Sequence, residues 1–153
     1  MLLDGINHVA VLTADTDRLA TFYREVFDAT VDGELREGDG FRLTMIKVGP
    51  RSELNVFEIA GNDEAGRQAP MFGRGRLDHM GLQAADLAAF ETIRDRLMAR
   101  GAADAFVTDF GPVLSVFFTD PDGLEGEVCV ASPDAQPGVL NAPGTPARRY
   151  VPE

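Results

Sequence analysis

The 153-residue chain holds two histidines, and both open look-alike segments: "GINHVAVL" around His8 and "RLDHMGLQ" around His79. An imidazole can bind a metal, shuttle a proton or sit in a core, so its surroundings decide. Two more residues join the candidates. Glu127 lies in "LEGEVCV" and Glu58 in "LNVFEIA", glutamates amid apolar neighbours. A carboxylate in a central strand is costly unless it is paired or metal-bound. Two imidazoles and two carboxylates form a donor set suited to divalent zinc, nickel, cobalt, manganese or iron. Four protein ligands would leave two octahedral positions for substrate oxygens or water.

An internal repeat is what places these residues. At an offset of 71 residues (79 − 8), "INHVAVLTADTDRLATFYREVF" lies without a gap over "LDHMGLQAADLAAFETIRDRLM". His8 meets His79, Asp15 meets Asp86, and Leu19, Phe22 and Val26 meet Phe90, Ile93 and Leu97. Two copies of this length indicate paired modules, not a solenoid. Each copy begins with period-two alternation, which reads as a half-buried strand. His8 and Ala10 then share one face against Val9 and Val11, and His79 and Gly81 share one against Met80 and Leu82. Asp15 and Asp86 are placed to cap helices. Leu19, Phe22, Tyr23, Val26 and Phe27 form the first apolar stripe, and Phe90, Ile93 and Leu97 the second.

Strand signals follow each helix: "ATVDGELRE", "FRLTMIKVG" and "LNVFEIA", then "ADAFVTDFG", "VLSVFFT" and "LEGEVCVA". The turn "DPDG" joins the last pair, with proline fixing φ and glycine accepting a positive one. The expected fold is α+β: two tandem β-α-β-β-β modules whose mixed sheets curve into a cup around the metal. One domain over 1–131 comprises module 4–60, a Gly-rich linker 61–75 and module 76–131. The Pro/Gly-rich tail 132–153 has no core of its own. It could lie disordered, or wrap a partner with Arg148, Arg149 and Tyr150.

A helix covers one face of each small sheet, so the other face must meet a partner sheet or line a cavity, and the histidine faces are assigned to the cup. Glu125, Glu127 and Cys129 share a face opposite Val128 and Val130. Glu58 is assigned to the cavity because Phe57 and Ile59 flank it and would pack away; Asn55 then has the wrong parity. Adding the offset to Glu58 gives 129, two residues past Glu127, and a shift of two preserves the face. Glu125 reads as a rim carboxylate. Cys129 reads as a small filler, since no third histidine remains to activate it.

These residues resemble the vicinal oxygen chelate superfamily: glyoxalase I, methylmalonyl-CoA epimerase, extradiol dioxygenases, fosfomycin-modifying enzymes and bleomycin-resistance proteins. The resemblance covers about residues 4 to 131, most specifically "INHVAVLTADTDRLATFYREVF" and "FFTDPDGLEGEV". In such proteins the ligand glutamate stands four residues after the turn glycine, as Glu127 stands after Gly123. The set His8, Glu58, His79 and Glu127 is similar to the ligands of glyoxalase I. Leu12 replaces the arginine usual in members acting on glutathione adducts, and Leu124 replaces the usual asparagine, while Asn62 matches the pattern.

The resemblance implies a metal-dependent lyase or isomerase. Glu127 or Glu58 would act as base, and the metal would stabilise an enediolate on a small substrate with vicinal oxygens. As alternatives it admits a non-haem iron extradiol dioxygenase, with Glu58 a bystander, or a bleomycin-resistance-like binding protein without turnover, against which the intact ligands argue. It also implies that modules pair either within one chain or across a homodimer, with ligands able to come from both subunits.

Bulk composition sets outer bounds. Fourteen basic residues against 25 acidic give a formal charge of −11, which repels nucleic acid and anionic membranes. No apolar run is long enough to span a bilayer. The single cysteine and the absence of a leader-like start point to the cytoplasm.

Overall fold

The computed structural model describes residue 2, residues 5–104 and 106–135, and the backbone of residues 148–149. Its contacts divide the chain into two units, Met1–Ala69 with Pro121–Gly123, and Pro70–Asp120 with Leu124–Glu153.

The first unit runs β1 (His8–Leu12), α1 (Thr16–Phe27), β2 (Thr30–Glu37), β3 (Phe41–Gly49) and β4 (Ser52–Ile59), then a 3-10 turn at Glu64–Gly66. Its sheet has the order β1-β4-β3-β2, with β1 and β4 parallel and the other pairs antiparallel. The second unit repeats the plan with β5 (Met80–Gln83), α2 (Leu87–Ala99), β6 (Thr108–Asp109), β7 (Val113–Thr119) and β8 (Glu125–Ala131). Its order is β5-β8-β7-β6, again with the first pair parallel, and a short β9 (Arg148–Arg149) extends it beside β6. The two expected β-α-β-β-β modules are therefore present in an α+β fold.

Both helices start where the sequence places their caps. Asp15 accepts the Arg18 N–H at 2.9 Å, and Asp86 accepts the Ala89 N–H at 2.8 Å. Each carboxylate satisfies a donor that the first helical turn leaves free. Replacing either aspartate with alanine is expected to cost about 1 kcal/mol, read as a lowered urea midpoint at unchanged slope.

Helical spacing then buries one face of each helix. Leu19, Phe22, Tyr23 and Val26 pack with Ile46, Leu54 and Val56 in the first module's core. Phe90 and Leu97 pack with Leu114, Val116, Phe118, Val128 and Val130 in the second. The strand residues of both cores alternate, so the intervening side chains form each sheet's other face.

Two readings from the sequence are shortened. Of "ADAFVTDFG" only Thr108–Asp109 is strand. The tail was expected to stand apart, yet Arg148–Arg149 pairs antiparallel with β6; Tyr150 lies outside the described residues. The "DPDG" turn closes as expected. Asp120 Oδ1 accepts the Leu124 N–H at 2.9 Å, and Gly123 takes φ +88°, where a side chain would be strained.

Candidate metal and proton-transfer site

The second module gathers the more complete half of the predicted set. Parallel pairing sets Gly81 opposite Glu127 and Gln83 opposite Cys129. His79 stands one residue before β5, so alternation carries it to the face of Gly81. Its Nε2 lies 3.4 Å from Glu127 Oε2, with the two side chains 29% and 15% exposed. On the other side of the ring, Nδ1 lies 2.8 Å from Asp78 Oδ2. A carboxylate there accepts Nδ1–H, which fixes the tautomer and leaves the Nε2 lone pair facing Glu127. The His79 hydrogen bond, followed by the Phe72 N–H, holds Asp78 below the usual carboxylate range against the opposing effect of desolvation.

Glu127 is oriented as well. Ser115 Oγ donates to its Oε1 at 2.5 Å, so Oε2 is the oxygen turned to His79. Phe117 pairs with Glu127 across β7 and β8, and its ring meets the imidazole edge-on at 6.2 Å. Gly81 leaves the neighbouring space open; a Cβ there would make an ordinary contact with Glu127 Oε2, at 3.8 Å.

Two further acidic-strand residues take other roles. Glu125 accepts the Met71 N–H at 2.6 Å and the Arg74 guanidinium at 3.0 Å, so it ties down the preceding loop. Burial, and then the charge of Glu127, push the Cys129 thiol up to about 11. A thiol so raised is protonated at neutral pH and a poor nucleophile. Alkylation of Cys129 by iodoacetamide in the metal-free protein is expected to be slow at pH 8 and to rise steeply only above pH 10.

The first module brings together a different pair from the one expected. His8 Nδ1 contacts Asn7 Oδ1 at 2.8 Å, the counterpart of the Asp78–His79 contact. Parallel pairing sets His8 opposite Glu53, Ala10 opposite Asn55 and Leu12 opposite Phe57. Ala10 corresponds to Gly81, so the counterpart of Glu127 is Asn55. The Asn55 Oδ1 is buried and has no hydrogen-bond partner among the described residues.

Glu58 is a correction. It lies on the opposite face of β4 from His8's register partners, with Leu54 and Val56. There it accepts the Thr16 N–H at the start of α1 at 2.9 Å, with Arg42 4.0 Å away. The parity argument fails because both faces of β4 carry apolar side chains. Leu54 and Val56 are the buried ones, while Ile59 is exposed.

Arg42 also binds Asp17 and Glu34. It holds Asp17 below its usual value, and Arg36, followed by Arg42, does the same for Glu34. That contribution to stability is present above the ordinary carboxylate range and is lost as the pH falls through the lowered values.

Among the described residues, no three His, Cys, Asp or Glu side chains form a group that could hold a metal ion. Each module instead offers a half-set of one imidazole and one oxygen donor on one face. Asn55, Asp78 and Ser115 were not singled out from the sequence. The one local signal was the polar residue before each histidine, Asn7 and Asp78, repeated at the same offset.

A family model, Glyoxalase/Bleomycin resistance protein/Dioxygenase superfamily, matches residues 5–128. The chain belongs to that superfamily. It is 29% identical over 143 residues to a 2-epi-5-epi-valiolone epimerase from Actinomyces sp., covering 81% of this chain and 78% of the relative. A glyoxylase/bleomycin resistance protein/dioxygenase domain from Frankia sp. EAN1pec has a similar structure, with TM-score 0.72 at 21% identity, covering 86% of this chain and 94% of that one. The fosfomycin resistance protein FosX from Listeria monocytogenes, solved with Mn(II) and sulfate, gives TM-score 0.60 at 13% identity, covering 86% and 96%. No helix among the described residues is long and apolar enough to cross a membrane.

Proposed function

We propose that the protein is a metal-dependent isomerase or lyase that removes a proton from a carbon beside a carbonyl, in a small substrate with vicinal oxygens. His79 and Glu127 of the second module would contribute to holding a divalent ion, and His8 and Asn55 give the first module a matching half-set. The donor chemistry fits: Nε2 of His79 is turned away from its Asp78 contact, and the Asn55 Oδ1 is an orphaned buried acceptor. An unpaired buried oxygen costs about 1–3 kcal/mol, and a cation would relieve it. When bound, the ion supplies Lewis acidity toward substrate oxygens.

The single observation that carries this reading is the His79–Glu127 pair, oriented from outside by Asp78 and Ser115. Free of the ion, Glu127 Oε2 would accept the substrate proton, while the Ser115 hydroxyl keeps Oε1 occupied and the carboxylate plane fixed. Asp78 accepts Nδ1–H, which leaves Nε2 the better donor toward a metal and prevents the ring's rotation. Phe117 shields the pair from water on one side. With an amide at the Glu127-equivalent position, Glu127 is the one carboxylate base of the set.

The epimerase relative and the manganese in the FosX structure support the reading. Its test is incubation with divalent metal in D2O, using 2-epi-5-epi-valiolone first and simple α-hydroxyketones second. Deuterium appearing beside the carbonyl is the expected outcome; unexchanged substrate with every metal would refute it. The reading includes a cytoplasmic homodimer, checked by light scattering.

One observation favours a second reading. Without Glu58, the donors other than the Asn55 amide reduce to two histidines and one carboxylate, the set of non-haem iron oxygenases. Oxygen uptake by the anaerobically iron-loaded protein with a catechol, and no deuterium exchange, would select it.

A further inference from the structure

Beside the His79–Glu127 pair, the second module carries a hollow of about 490 Å³ lined by Met71, Phe72, Phe106, Phe117 and Thr119, among others. That volume lies in the range of small-molecule sites. Phe117 belongs to both places, since the ring on the hollow's wall is also the one set against His79.

The carboxylates on the wall are already engaged. Glu125 is held by the Met71 N–H and Arg74, and Asp104 accepts the Phe106 N–H at 2.8 Å. What these walls offer a guest is aromatic and aliphatic surface. Two rim rings are open to solvent, Phe72 at 89% and Phe106 at 42% exposure. Phe72 also holds a left-handed backbone, φ +67°, which a bulky residue rarely adopts. Its N–H is fixed by Asp78 Oδ1, while Asp78 Oδ2 takes His79. One carboxylate thus ties the aromatic rim to the imidazole, and a strained, exposed ring at such a position points to use.

We propose that this hollow receives an aryl substituent of the substrate, attached directly to the oxygen-bearing carbons. The proposal rests on the proton-abstraction reading for what lies at the other end of the substrate. The one-ring separation between His79 and the hollow leaves no room for a long tether. Burying a phenyl group there should favour an aryl ligand over its methyl analogue by about ten- to a hundredfold.

The test is an amide NMR titration of the full chain with zinc added, using acetophenone, α-hydroxyacetophenone and hydroxyacetone as probes. Acetophenone is expected to shift Phe72, Ala103 and Phe106 saturably. α-Hydroxyacetophenone should bind at least tenfold tighter than hydroxyacetone and also move His79. Phe106→Ala, and separately the more exposed Phe72→Ala, should shrink that preference severalfold and leave hydroxyacetone binding unchanged. Both α-hydroxyketones moving His79 with equal affinity would overturn the aryl site and leave the metal reading standing. Acetophenone filling the hollow while neither α-hydroxyketone responds to zinc would support the aryl site and count against the metal reading. Acetophenone leaving the three amides unmoved would overturn the aryl site outright.

Discussion

Glu127→Gln is expected to slow deuterium exchange beside the substrate carbonyl by about 10²- to 10⁴-fold, the usual contribution of a positioned general base. Glutamine preserves the shape and keeps an oxygen for the Ser115 hydroxyl, which now stands 2.5 Å from Oε1. The amide cannot take a proton, so the chemical step fails while the fold persists. Substrate affinity should change much less than turnover, because the lost interaction belongs to the transition state. Asp78→Asn is the graded companion. It leaves the base intact but weakens the acceptor beside His79 Nδ1, and should cost 10- to 100-fold in metal affinity. If Glu127→Gln exchanged deuterium at the wild-type rate, the base would have to lie elsewhere.

Gly126→Ala is expected to be the most damaging one-carbon change in the second module. A Cβ at that position would stand 2.6 Å from Phe118 Cε1, with Cζ also in collision. Phe118 is 2% exposed and seated in the core, so its ring has no solvent to swing into. Overpacking of this kind costs about 3 kcal/mol. For a chain this size that lowers the melting temperature by roughly 6–12 °C. The damage reaches the site because β8 carries Glu125 and Glu127 on either side of Gly126. Adding Phe118→Leu should restore part of the loss, a coupling that a double-mutant cycle measures. A loss under about 0.5 kcal/mol in the single variant would mean that the ring relocates freely.

What the sequence disclosed follows the range of the interactions involved. Asp15 and Asp86 cap helices through donors three residues away, so their roles were legible from local spacing. That His79, Gly81, Glu127 and Cys129 share the sheet face opposite the core was legible too, because Val128 and Val130 are buried and Glu127 and Cys129 between them are less so. Glu58 was misplaced because its face depends on the register between β1 and β4, strands more than 40 residues apart. His8 and His79 differ by 71 positions, whereas Asn55 and Glu127 differ by 72 (127 − 55). A one-residue change between the modules inverts every parity argument beyond it. Ser115 and Asp78 escaped notice for another reason. Their hydroxyl and carboxylate act on the site through other side chains, and an ordinary serine or aspartate in a sequence carries no mark of that.

The central claim is that the imidazole and oxygen-donor half-set carried by each module serves to bind a divalent ion. Elemental analysis of the purified protein, with ferrous iron protected from air, tests it most directly when four forms are compared. The account predicts close to one ion per chain in the wild type and in Glu58→Gln, with loss of that ion in His79→Ala and weakened retention in Asn55→Ala. Absence of metal from all four after reconstitution, or its loss on changing Glu58 but not Asn55, would contradict the account.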